Sequence, residues 1–327
     1  MKLAIVGAGM IVKDFLTISK DLPEIELVAI SGTDKDKQTM NELQESYGIT
    51  QVYTDFTDCL EKSEADTVYV ALPNVLHYSF TKQALLAGKN VICEKPFTLT
   101  LAELTELESI ATEKGKIVLE AITNQYLSNY QAIKASLPKL GEVKVIDCNY
   151  SQYSSRYDLF KEGTILPAFD PRMGGGALMD INIYNIHFVV GLYGMPQSVR
   201  YFPNMEQGID TSGVLVMDYG HLKAICTGAK DSSAASRSTI QGNKGTIVVE
   251  GPTNTVPKYS EYFSKMPVSE KNEATHAHRM FDEFRIFNQV IDQMDRKFAT
   301  ARMTHSKQVM QIVEWALQDA GIVLGKK

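Results

Sequence analysis

The chain has 327 residues, 44% of them hydrophobic and 22% charged, with a formal net charge of -6 at pH 7. That length favours two domains over one core, and the mildly acidic, evenly mixed composition excludes a basic nucleic-acid stripe, a polybasic membrane patch and a disordered acidic tail. A small-molecule substrate is the expected partner, with no nucleic acid and no membrane.

In chain order, the opening MKLAIVGAGMIV carries an apolar run, but Lys13 and Asp14 interrupt it and no cleavage pattern follows, so no export signal is expected. The runs KLAIV, IELVAI, TVYVALP, NVICE and KIVLEA are short and β-branched, with helical patterns such as LAELTELESIATEKG between them. This alternation predicts parallel strands joined by right-handed helical crossovers. Residues 1–122 are therefore expected to form a doubly wound, dinucleotide-binding domain. After KIVLEAITNQY the pattern changes. A helical stretch from Tyr126 to Leu137 leads into EVKVIDCNYSQY, and from Pro196 to about Lys265 the chain reads as strands, turning at Gly220 and at Gly242 to Gly245. Helical patterns over Arg279 to Met294 and Ser306 to Leu324 close the chain. The expected fold class is α/β, with residues 123–327 as an α+β domain built on a mostly antiparallel open sheet for substrate binding and oligomerisation. Four scattered cysteines with no CxxC pair suit reduced thiols and a cytoplasmic protein. No run of about 18 apolar residues spans a membrane.

VGAGMIV follows the first strand and opens a helix. Gly7 would permit the tight turn, and Gly9 would let the backbone approach a pyrophosphate at the positive helix end, with Met10 and Ile11 following. The second strand ends in Ser31, Gly32 and Thr33, where an NAD-preferring site presents an acid to the ribose. Small side chains here, with Lys35 and Lys37 close behind, favour NADP(H) over NAD(H); Asp34 is the opposing acid.

NVICEKP delivers Lys95 to the carboxyl end of a strand, where ligands of open α/β sheets sit. A lysine with a free pKa of about 10.4 becomes a base when burial or a neighbouring cation lowers that value, and oxidised nicotinamide is such a cation. In reverse, Lys95 would protonate a carbonyl as hydride arrives. Pro96 fixes the backbone that follows, with a cis bond as a hypothesis. On its own, a Lys-Pro after a strand is an ordinary surface turn.

The loop GAGMIV, the stretch ALPNVLHYSFTKQALLAGKNVICEKP and the later GGGALMDINIYNIHFVVGLYG together resemble the glucose-fructose oxidoreductase, inositol dehydrogenase and rhizopine-catabolism family, Gfo/Idh/MocA. The resemblance implies a Rossmann domain, a second α/β domain and an active site in the cleft between them. It implies Lys95 as catalytic lysine, a cofactor border at Leu72, Pro73, Asn74 and His77, and Glu94 as an acid that helps place the ring and its ribose. It also implies that Asp180 is the aspartate of a D-x-x-x-H motif whose histidine is here Tyr184, as in the branch resembling dihydrodiol dehydrogenase and glucose-fructose oxidoreductase. Gln125 stands where that branch has arginine, which argues against a substrate that needs an anion contact there.

Asp180 and Tyr184, at i and i+4, share a helical face, and Tyr184 could supply a phenolic donor beside Lys95. Without the resemblance they would read as a helix-terminal acid and a packed aromatic. His276 and His278 lack a third ligand at convincing spacing, so no metal is expected. Arg156, Asp158 and Arg172 are candidates to reach a polyol, or ordinary loop charges. The expected function is NAD(P)-dependent hydride transfer to or from a sugar, polyol, dicarbonyl or cyclic diol, by a homodimer or homotetramer. The alternatives are a non-catalytic NAD(P)- or sugar-sensing protein of the same fold and an NAD-dependent glycosidase.

Overall fold

Six parallel strands form the first sheet of the computed structural model, which describes residues 1–325. They are β1 (Lys2–Val6), β2 (Glu26–Ser31), β3 (Gln51–Tyr53), β4 (Thr67–Val70), β5 (Asn90–Glu94) and β6 (Val118–Ala121), in the spatial order β3-β2-β1-β4-β5-β6. The crossovers between them carry α1 (Met10–Leu16), α2 (Lys37–Tyr47), α3 (Phe56–Lys62), α4 (Asn74–Leu86) and α5 (Leu101–Lys114). Strands β4 and β5 are buried along their whole length, as parallel strands covered on both faces must be, which is why they read as unbroken apolar runs. Local chemistry sets the helix ends. Thr100 and Glu103 exchange bonds in a capping box at the start of α5, and Gly115 in the left-handed region stops it.

The second sheet has eight strands. After α6 (Ser128–Ser136) come β7 (Val143–Ser151), α7 (Tyr157–Lys161), a π-helical turn at Leu178–Asn182 and its continuation α8 (Ile183–Tyr193). Strands β8 (Ser198–Glu206), β9 (Ile209–Asp218), β10 (Lys223–Ala229), β11 (Arg237–Gly242), β12 (Gly245–Glu250), β13 (Lys258–Phe263) and β14 (Ser269–Lys271) follow. The order is β14-β13-β12-β11-β7-β10-β9-β8, antiparallel except for the pair β7 and β10. The turns expected at Gly220 and at Gly242 to Gly245 join β9 to β10 and β11 to β12. The π-helical turn and α8 dock on this sheet through asparagines: Asn182 donates to the Cys226 carbonyl at 2.9 Å and Asn185 to that of Thr227 at 2.9 Å.

The chain ends in α9 (Met280–Asp292) and α10 (Arg296–Ala320). Met280–Thr304 folds with Met1–Ala121 as one unit, and Ile122–Arg279 with the chain from His305 as the other. The division at residue 122 placed α9 in the second domain; packing puts it in the first. Phe284 stacks on Phe15 of α1 at 4.1 Å and meets Tyr69 of β4 edge-on at 5.1 Å, and the terminal amine donates to Asn288 at 2.9 Å. All four cysteines are buried and free. No helix among the described residues is long and apolar enough to cross a membrane.

Candidate active site

At the carboxyl end of β1, Gly7 has φ +113°, and its amide donates to the Ser31 carbonyl at 2.8 Å. A Cβ on Gly7 would run into the carbonyl oxygen of Ala71. Gly9 differs: its φ is -77°, and nothing lies within 4 Å of where its Cβ would stand. It caps α1 with no side-chain bond and no acid in the first turn. Open space thus lies beside Gly9 at the start of α1, next to a methionine, Met10, that is 68% exposed, with Ile11 half-buried after it. An exposed apolar side chain beside an open glycine at a helix N-terminus suits a pyrophosphate carrying a nucleoside.

At the end of β2, Ser31 is buried, and exposed Thr33 donates its hydroxyl to Asp36 Oδ2 at 2.6 Å and its amide to the same oxygen at 3.0 Å. Those bonds hold the Asp36 carboxyl below the usual range. Asp34, Lys35 and Lys37 are all exposed.

Lys95 follows β5 directly, half-buried, and its bond to Pro96 is cis. Two neighbours hold the backbone that carries it. The His77 ring, on the first turn of α4, spans the Pro96 carbonyl (Nδ1, 2.8 Å) and the Leu72 carbonyl (Nε2, 2.7 Å). Full burial pushes this imidazole below its ordinary pKa, against the upward pull of the two carbonyls. Glu120, at the end of β6 and 3% exposed, accepts the Phe97 amide at 3.1 Å. Glu94 is 8% exposed and accepts from the Tyr69 hydroxyl at 2.6 Å. Leu72, Pro73 and Asn74 lead into α4, half-buried, with Pro73 as its N-cap. Sequence reading assigned no role to Glu120; an acid ending an apolar strand beside the lysine strand was the available signal. A cavity of about 220 Å³ lined by Glu108, Thr112, Lys116, Arg296 and Met303 lies at the opposite, amino end of β6.

In the second unit, Asp180 lies in the π-helical turn and Tyr184 in the first turn of α8. The regular α-helix expected across both residues starts only at Ile183, and the amide that opens the π-helical turn, that of Leu178, donates to Asp210 Oδ2 at 2.7 Å. Extra helical turns of this kind recur at functional sites. The three glycines before them allow close packing: a Cβ on Gly175 would meet the Pro167 carbonyl oxygen at 2.7 Å, and one on Gly176 would strike Asp210. Tyr184 is 7% exposed, its carbonyl bound by Asn124 at 2.8 Å and its ring 6.0 Å from that of Tyr150. Asp180 keeps 36% of its side chain exposed and pairs with Lys230 at 2.8 Å. Gln125 is buried, its amide donating to Asn124 and to the His187 carbonyl, so it presents no group to an anion. Arg172 is held by Asp170, and Asp158 by Lys161. His276 Nδ1 accepts the His278 amide.

Burial pushes the Asp210 carboxyl from 3.8 up to about 6, although Tyr201 and the Leu178 amide bond to its anion. Because its folded pKa lies above the unfolded one, its contribution to stability is complete below about pH 4 and is lost as pH rises through 6. The difference is about 3 kcal/mol. Urea unfolding of wild type and Asp210→Asn at pH 4.5 and pH 7 should show the wild type losing more stability over that interval; parallel changes would place the titration elsewhere.

The oxidoreductase family with an NAD-binding Rossmann fold, GFO_IDH_MocA, matches residues 1–122, and the GFO/IDH/MocA C-terminal domain matches residues 131–248. A scyllo-inositol 2-dehydrogenase (NADP(+)) of Bacillus subtilis is 33% identical over 76% of this chain and 76% of its own length. A trans-1,2-dihydrobenzene-1,2-diol dehydrogenase of Xenopus tropicalis is 24% identical over 98% of both chains. Among solved structures, a 3-ketoreductase from Actinomadura kijaniata, in complex with NADP and TDP-benzene, shares the fold with a TM-score of 0.81 at 20% identity, over 97% of this chain and 98% of that one. With its glycine loop, its Lys95 strand end and both family domains in order, the chain belongs to the Gfo/Idh/MocA family of NAD(P)-dependent oxidoreductases.

Proposed function

We propose that the protein transfers hydride between NADP(H) and a carbinol carbon of a sugar or polyol, with dicarbonyls and cyclic diols as the neighbouring substrate classes. The observation that carries this reading is Lys95 at the end of β5, its following backbone held by His77 and Glu120 in the same unit as the open Gly9 loop. Gly7, Gly9 and Met10 would hold the pyrophosphate and its nucleoside, and Thr33 with Lys35 and Lys37 the ribose 2'-phosphate. Bound nicotinamide supplies the hydride chemistry. Lys95 takes the hydroxyl proton as the carbinol is oxidised and returns it in reduction. Tyr184 anchors the reacting oxygen, and Asp180 binds the substrate.

Support for NADP(H) comes from the exposed lysines after β2, from the engagement of Asp36 with Thr33, and from the NADP(+) specificity named for the Bacillus subtilis relative. A homodimer or homotetramer is the proposed assembly, supported by Phe202 on β8, 63% exposed opposite Val214 of β9. The test is nicotinamide absorbance with sugars, inositols, cyclic diols and dicarbonyls, each with NAD and NADP in both redox states. Turnover of a sugar or polyol with NADP is expected, and the Lys35→Gln, Lys37→Gln double variant should narrow the NADP preference about tenfold. Silence across the panel would reject the reading, and an unchanged preference would reject the lysines.

A further inference from the structure

Lys230, just past β10, is a buried cation that sequence reading did not single out. Its side chain is 4% exposed, and the ammonium reaches three groups within its unit. It donates to Asp180 Oδ2 at 2.8 Å and to the Ala168 carbonyl at 2.5 Å, and it sits 4.2 Å over the Phe169 ring. Its own amide is tied to the Thr211 carbonyl at 2.9 Å. The Ala168 carbonyl also accepts the Gly176 amide at 3.1 Å, so one lysine joins the 167–176 loop to the turn that carries Asp180.

Burying an ammonium is costly unless it is paired and bonded. Here the carboxylate that pairs it is not itself buried. The arrangement fixes the direction of a carboxylate with 36% of its side chain exposed, and a fixed carboxylate is an acceptor for hydroxyl donors and a repellent for a second carboxylate. Two candidates for anion recognition are already engaged: Gln125 is bonded within the core and Arg172 is held by Asp170.

We propose that Lys230 is a positioning residue for substrate recognition, holding Asp180 as the acceptor for a hydroxyl of an uncharged polyhydroxy compound and selecting against sugar acids. This deepens the proposed function and rests on it. The experiment compares wild type, Lys230→Met, Lys230→Arg, Asp180→Asn and the Lys230→Met, Asp180→Asn double variant. Each is titrated by calorimetry with scyllo-inositol and with glucuronate in the presence of NADP, and assayed for KM and kcat on the sugars and polyols of the panel. Circular dichroism checks folding.

Lys230→Met should weaken scyllo-inositol binding about tenfold, with KM rising more than kcat falls. Lys230→Arg should recover most of the loss, and the double variant should be no worse than the weaker single one, as expected for two groups acting as a unit. Glucuronate should bind the wild type at least tenfold more weakly than scyllo-inositol. Wild-type turnover with an unchanged KM in Lys230→Met, or losses that multiply in the double variant, overturns the positioning role and leaves the oxidoreductase reading intact. A wild type that neither binds nor turns over any polyol or sugar overturns both. Should Lys230→Met fail to fold, Lys230→Gln decides the matter: a raised KM beside a near-normal Lys230→Arg supports the role, and an unchanged KM removes it.

Discussion

Replacing Lys95 with methionine lowers kcat by a factor of about 10² to 10⁴, the usual contribution of a positioned proton-transfer group, while cofactor affinity changes by less than about threefold. Methionine keeps the length and apolar stem of lysine and removes only the amine. The backbone should keep its place, because it is held by groups the substitution does not touch: the His77 ring on the Pro96 carbonyl and Glu120 on the Phe97 amide. A hydroxyl that must lose its proton as hydride leaves then has no base at that position, and Lys95→Arg should not restore one, since a guanidinium stays protonated throughout the useful pH range. Steady-state nicotinamide absorbance gives kcat, and a fluorescence titration gives cofactor affinity. Turnover within tenfold of wild type in Lys95→Met would remove this residue from the mechanism. A parallel loss of cofactor binding would recast it as a cofactor ligand.

What could be read from the sequence follows from how each element is buried. The strands that lead to Gly7 and Lys95 and hold Glu120 are almost wholly buried and spell out short apolar runs, so their succession and their carboxyl ends were legible. Strand β3 was not, because one exposed and two half-buried edge residues leave no pattern. The last helix starts at Arg296, ten residues before the expected Ser306, because its first turns bury little beyond Ala299 and Met303. The return of α9 to the first unit was also hidden: its aromatic face shows that the helix is buried but not against what. The site divides in the same way. Lys95 and Asp180 stand in local motifs, whereas Lys230 reaches Asp180 across 50 positions and Glu120 reaches the Phe97 amide across 23. No spacing rule brings such pairs together; they meet only because adjacent strands and the glycine-rich turn place them side by side.

The two glycines of the first loop should fail in different ways when given a methyl group. Gly7→Ala is expected to cost about 3 kcal/mol of stability, because φ at +113° strains any L side chain and the methyl group meets the backbone carbonyl of Ala71, which cannot swing aside as a side chain could. Gly9→Ala has neither problem. Its φ of -77° is open to every residue, and no atom lies within 4 Å of the added carbon, so stability should change by less than about 1 kcal/mol, the scale of a lost N-cap preference. The fold alone therefore gives no reason for glycine at position 9. A ligand does: the added methyl group stands at the N-terminus of α1, where the pyrophosphate would have to approach. NADP affinity should fall about tenfold or more in Gly9→Ala at unchanged urea midpoint, while in Gly7→Ala the midpoint itself should drop. Tight NADP binding by Gly9→Ala would mean that the pyrophosphate does not lie over this loop, and the assignment of Gly9 and Met10 to the cofactor would fall with it.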